Sequence, residues 1–150
     1  MVHRRWPRTR RLHSRGQAVV EFALVMIFFL IILLAVLDVG RAYLSSVALE
    51  NAAAEGALFG IANPACATAG DCADPDNIEY RVRHESVGGL LDPDEGDFAV
   101  DVWPADADDR TPGTQLIVTA TYPFRPIIPL VSAFGAEVIP LQRAAKQLIP

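Results

Sequence analysis

At 150 residues the chain has room for one modest domain beyond any membrane segment. Its formal net charge of −5 hides a division of charge. Six arginines (Arg4, Arg5, Arg8, Arg10, Arg11, Arg15) precede Gly16 with no acidic residue, whereas the seven later basic residues face all 18 acidic ones, a balance of −11 over residues 17–150. Two cysteines without a nearby histidine pair argue against zinc, and no nucleophile elbow, phosphate loop or paired-histidine helix is present. No cofactor or metal is expected, and nothing in the composition points to an enzyme.

Residues 1–16 form a basic leader, too polar to insert in a bilayer and too short to fold. From Phe22 to Leu37 come sixteen uninterrupted apolar positions, and Val19 and Val20 extend the run to nineteen with Glu21 as its one charge. At about 1.5 Å per residue this covers roughly 28 Å, near the hydrocarbon thickness of a bilayer. The sequence therefore predicts a transmembrane segment at about 19–37. Arginine beside a span is retained on the cytoplasmic side, which predicts a cytoplasmic N-terminus and an exported C-terminal domain in the inner membrane. The same rule accounts for the basic arm without nucleic acid.

The helical pattern continues to Ile61 and stops at Asn63-Pro64, because proline disfavours helical geometry in the residue before it. Asp38 and Arg41 lie at the outer interface, Asp38 about 26 Å along the helix from Glu21, where charges are expected to be solvated. Beyond them, Ala48, Ala52, Gly56 and Gly60 recur every fourth residue and form one smooth stripe. Such a stripe suits close helix packing, either against a neighbouring subunit or against the domain's own sheet.

The exported part, residues 62–150, opens with an acidic, loop-rich stretch to residue 97. It carries Cys66 and Cys72, placed to form a disulfide in an oxidising compartment. A short helix is predicted from Asp76 to Val87. Asp92-Pro-Asp94-Glu-Gly-Asp97 superficially resembles a calcium loop but lacks the closing glutamate, so a solvated acidic turn is expected. Phe98–Trp103 and Gln115–Tyr122 alternate with the period of half-buried strands, and Thr111-Pro112-Gly113 supplies a turn between them. Pro123, Pro126, Pro129 and Pro140 are expected to exclude long regular elements around them. Residues 137–148 read equally as strand or helix. The fold expected is α+β and pilin-like: a long N-terminal helix over 17–61, its outer half packed on a small antiparallel sheet.

The membrane border carries the densest pattern. Basic leader, Gly16, four residues, then Glu21-Phe22 resembles the prepilin peptidase site of type IV pilins and pseudopilins. The run Gly16-Gln-Ala-Val-Val-Glu-Phe-Ala-Leu24, with Asp38-Val-Gly-Arg41, Tyr43 and Asn51-Ala-Ala-Ala-Glu-Gly56, is similar specifically to the TadE-like family of the tight-adherence (Flp) pilus system. The resemblance covers roughly the first 60 residues. It implies a minor pseudopilin or pilus-assembly protein, cut by a prepilin peptidase between Gly16 and Gln17. Its partners would be other pilins or pseudopilins and the pilus-assembly platform proteins. Glu21, the fifth residue of the mature chain, would then pair with the new amine of a neighbouring subunit and set the register between helices, with Phe22 beside it. The alternative is an uncut, permanently anchored envelope protein that binds a partner through its exported domain.

Overall fold

The computed structural model describes residues 13–85, 89–127, 135 and 137–150. Helix α1 spans His13–Ala62, 50 residues and about 75 Å at the standard rise. With no proline between Pro7 and Pro64, nothing in this stretch removes a helical N–H. The helix ends where Asn63 donates its backbone N–H to the Phe59 carbonyl (3.0 Å), one residue before Pro64.

Helix α2, Ile78–His84, is shorter than the expected Asp76–Val87, and Val87 lies outside the described residues. Asn77 caps it: its side-chain oxygen accepts the Tyr80 backbone N–H at 2.7 Å, so the helix starts one residue later. The Asn77 amide is buried, and it donates to the Cys72 carbonyl (3.1 Å) and to Asp74 Oδ1 (2.6 Å). Cys66 and Cys72 are joined in a disulfide, and the Ile78 N–H donates to the Cys66 carbonyl at 2.9 Å. The bridged loop and the start of α2 are thus one hydrogen-bonded unit.

Three antiparallel strands follow in the order β1-β2-β3: β1 Ala99–Trp103, β2 Gln115–Phe124 and β3 Ile139–Leu148. Of residues 137–148, therefore, Ile139–Leu148 form a strand and no helix. Two of the prolines expected to break regular structure lie inside strands, and Pro123 sits directly opposite Pro140. The Ile149 N–H donates to the Thr114 carbonyl, which marks 114–149 as a hydrogen-bonded pair. Alternation then makes 123–140 a non-hydrogen-bonded pair whose missing N–H groups point away from each other. Pro123 lies past Thr121, the end of the β1 pairing, and Pro140 is on an edge strand, so neither costs a ladder bond. Pro129 lies outside the described residues.

The C-terminal half of α1 packs across β2 and β3, with α2 beside it. Leu49, Ile78, Val82, Leu91, Phe98, Leu116 and Val118 are the largest apolar side chains in this core, each fully buried. Each stabilises the fold by roughly 1.5–3 kcal/mol relative to exposure. Alternation in β2 puts Leu116, Val118 and Ala120 inside, as their period of two requires. The result is the α+β layout expected: a long apolar helix on a small antiparallel sheet.

Candidate assembly site

The two halves of α1 differ in what covers them. From Val19 to Leu34 every side chain is exposed, with Phe22 at 63% and Ile32 at 62%, and none of the other described residues packs there. A helix that is apolar all round needs lipid or a protein partner, since water around so continuous a patch is strongly disfavoured. Beyond Leu44 the helix is half buried, with Ser45, Ser46, Ala48, Leu49, Ala52 and Ala53 turned into the domain. Among the described residues there is one helix long and apolar enough to cross a membrane, and it fits a single-pass membrane protein.

At the N-terminal end of the apolar run, Gly16, Gln17, Glu21 and Phe22 are all exposed on continuous helix. The Gln17 side-chain amide donates to Glu21 Oε1 at 3.0 Å, one helical turn away. This contact neutralises no charge, and the exposed carboxylate keeps acceptor capacity for a cationic partner. A Cβ at Gly16 would meet nothing within 4 Å, so nothing in the fold requires glycine there.

The stripe of small residues has an occupant within the chain. Ala48, Ala52, Gly56 and Gly60 all face inward. A methyl on Gly56 would overlap Val82 Cγ2 and come within 3.3 Å of Ile78 Cγ2. On Gly60 it would lie 2.8 Å from Ile78 Cδ1 and nearer still to Leu116 Cδ2. Of the two partners the sequence leaves open, the chain's own α2 and β2 fill the stripe. The opposite face of the same helix, with Tyr43, Val47, Asn51 and Leu58, is exposed.

Asp38 departs from its expected place in solvent: its side chain is only 9% exposed, against 47% for Arg41. Its carboxylate accepts from Arg41 Nη1 at 3.0 Å and from the backbone N–H of Ile127 at 3.1 Å. Arg41 also stacks over the Phe124 ring, 5.3 Å from its centroid. A fixed contact across 89 residues holds the end of β2 against α1 where the apolar run stops. Burial follows because this end of the sheet folds back onto the helix, which spacing in the sequence does not reveal.

Arg110 was likewise not singled out by sequence. It is buried and donates to the carbonyls of Pro104 (2.7 Å), Ala105 (2.7 Å) and Pro64 (2.9 Å), tying the β1–β2 connection to the end of α1. Asp71 accepts the Thr68 backbone N–H and hydroxyl, which hold its carboxyl below the usual carboxylate range. In the acidic stretch Asp94 N–H donates to Asp92 Oδ1 at 3.0 Å, a turn closed on itself. Among the described residues no group of His, Cys, Asp or Glu is arranged to hold a metal ion.

The helix that carries these features also carries the comparison with known proteins. The family model described as TadE-like protein matches residues 16–58, all of them within α1. This helix is similar to the TadE-like family. The match begins at Gly16 and ends two residues before Gly60, so it takes in Glu21, Asp38 and most of the small-residue stripe. It leaves the three-stranded sheet outside. The resemblance covers 43 of the 150 residues and so bears on the helix alone. No curated protein and no solved structure matches the chain.

Proposed function

We propose that the chain is a minor pseudopilin or pilus-assembly protein of a tight-adherence (Flp) system, acting by membrane anchoring and helix-mediated assembly rather than catalysis. The observation that carries this reading is the division of α1: one unbroken helix, bare and apolar over 19–34, then built into the exported domain beyond Leu44. A rigid link of this kind lets the same element hold the membrane and present the domain. Six arginines before Gly16 support a cytoplasmic N-terminus in the inner membrane.

Prepilin peptidase would cut between Gly16 and Gln17. The new amine would then lie one turn from Glu21, and a neighbouring subunit's carboxylate, exposed in the single chain, would pair with it inside packed helices. Pairing offsets the cost of burying either charge alone. Neighbouring helices in the exported region would meet the face of Tyr43, Val47, Asn51 and Leu58, since Ala48, Ala52, Gly56 and Gly60 are taken by the chain's own sheet and α2.

That same occupancy favours a second reading, a permanently anchored envelope protein whose helix makes no lateral contacts and whose domain binds a partner. Glu21→Ala separates the two. Under the assembly reading the variant inserts normally but loses most pilus output and co-purification with other pilins. Unchanged output and complex formation would contradict the register role of Glu21.

A further inference from the structure

Where the apolar run of α1 ends, the structure has a second apolar surface. Ala35, Val39 and Ala42 of the helix face Phe124, Pro126 and Ile139 from the ends of β2 and β3 across a groove of about 200 Å³. Among the described lining residues Asp38 is the one polar side chain, and it fixes the Ile127 N–H to the helix at 3.1 Å. Ile127 is held in this place by its backbone, yet its side chain is 62% exposed. Val138 and Ile139, at the start of β3, are 37% and 38% exposed. The sequence between Ile127 and Glu137 contains no charged residue.

We propose that this end of the exported sheet is seated in the lipid interface of the leaflet facing the domain, as a second membrane contact beside the transmembrane helix. The proposal rests on the anchoring reading above. Continuity identifies the occupant: the lipid-facing surface of the span passes through Val36 and Val39, exposed at 63% and 70%, directly onto the groove. The groove begins at Ala35, inside the apolar run, so lipid reaching the end of the span already touches it. Charge is placed beside it: Arg41 pairs with Asp38 and stacks over Phe124, and Arg125 lies between Phe124 and Pro126 in the chain, paired with Glu95. Their side chains are 47% and 57% exposed, and an arginine at that level keeps its head among phosphates while its stem lies on apolar surface. An apolar face buried roughly 5–10 Å into the headgroup and acyl boundary is the usual depth of such contacts. The effect is to fix the tilt of the domain on the membrane, which one helix alone leaves free.

The test uses the full chain in phosphatidylcholine–phosphatidylglycerol proteoliposomes, with bromine on the acyl chains as the depth probe. Single-tryptophan proteins place the fluorophore by Ile127→Trp or by Val138→Trp in a background of Trp6→Phe and Trp103→Phe. Trp6→Phe alone keeps the native Trp103, which pairs with Ile117 at the far end of the sheet, as the distal reference. The expected result is several-fold stronger quenching by brominated lipid at 127 and 138 than at Trp103, with iodide in the buffer showing the reverse order. Iodide quenching at both positions equal to that of Trp103, with none from bromolipid, overturns the proposal. Protection from both quenchers overturns it as well, because protein and not lipid then covers the patch. Flotation of the liposomes on a density gradient separates the levels of failure. A chain that does not float contradicts anchoring itself, whereas one that floats with water-exposed probes contradicts only the second contact.

Discussion

Gly56→Ala sets two opposed effects against each other at a single carbon. Alanine is the better helix former by about 0.8–1.0 kcal/mol in a helix interior, so propensity alone favours the substitution. The added Cβ, however, would overlap Val82 Cγ2 and press on Ile78 Cγ2 at 3.3 Å and Val118 Cγ1 at 3.4 Å. Val82 is β-branched and stiff at χ1, and it sits in a helix fixed by the Asn77 cap and the bridged loop. Overfilling such a site costs about 1–3 kcal/mol, or more where nothing can move. The overlap with Val82 puts the cost at the upper end of that range, so sterics win and a net loss of about 1–2 kcal/mol is expected. For a domain of this size that lowers Tm by roughly 5–15 °C. Thermal unfolding of the full chain in detergent, followed by near-UV circular dichroism, reads it directly. Adding Val82→Ala removes the obstructing methyl and should recover part of the loss, which a double-mutant cycle reports as coupling. Gly40→Ala, whose Cβ meets nothing within 4 Å, should be neutral or stabilising by up to about 1 kcal/mol. If Gly56→Ala stabilises as much as Gly40→Ala, the stripe is not packed against α2 and the argument fails.

Two further substitutions test the joints. Asp38→Ala deprives the Ile127 N–H of this acceptor and Arg41 of its ion pair, at an expected cost of about 1–3 kcal/mol. Faster hydrogen exchange at the Ile127 amide is its local signature, and Asp38→Asn, which keeps an acceptor oxygen, should be milder. Arg110→Ala leaves three carbonyls without their shared donor and should lower the denaturant midpoint by the equivalent of about 3–5 kcal/mol. A midpoint unchanged by Arg110→Ala would mean that the β1–β2 connection is held by something else.

What the sequence reveals about this chain is what is local. The long helix is legible because its apolar run is uninterrupted and Asn63-Pro64 closes it, and β1 and β2 are legible because Val100, Val102, Leu116 and Val118 alternate. Prolines mislead at positions 123 and 140, since a missing N–H matters only when it points at a partner strand. Residues 137–148 stay ambiguous until β2 supplies the partner that makes them a strand. Asp38 and Arg110 are illegible for another reason: their acceptors and donors lie 89 and up to 46 residues away and meet only after the sheet docks on α1. For the candidate site, the motif around Gly16 and Glu21 is visible as spacing. The occupant of the small-residue stripe is not, because a smooth helix face looks the same whether a sheet or a neighbouring helix lies against it.

The proposal that the anchor is also the assembly element depends on how the chain begins once it is in the membrane. Intact-mass spectrometry of the membrane-extracted protein, made with and without a prepilin peptidase, measures this directly. The expected result is a chain starting at Gln17 when the peptidase is present and at the leader when it is absent. A chain that keeps residues 1–16 under both conditions would contradict the pseudopilin route and leave a permanent anchor.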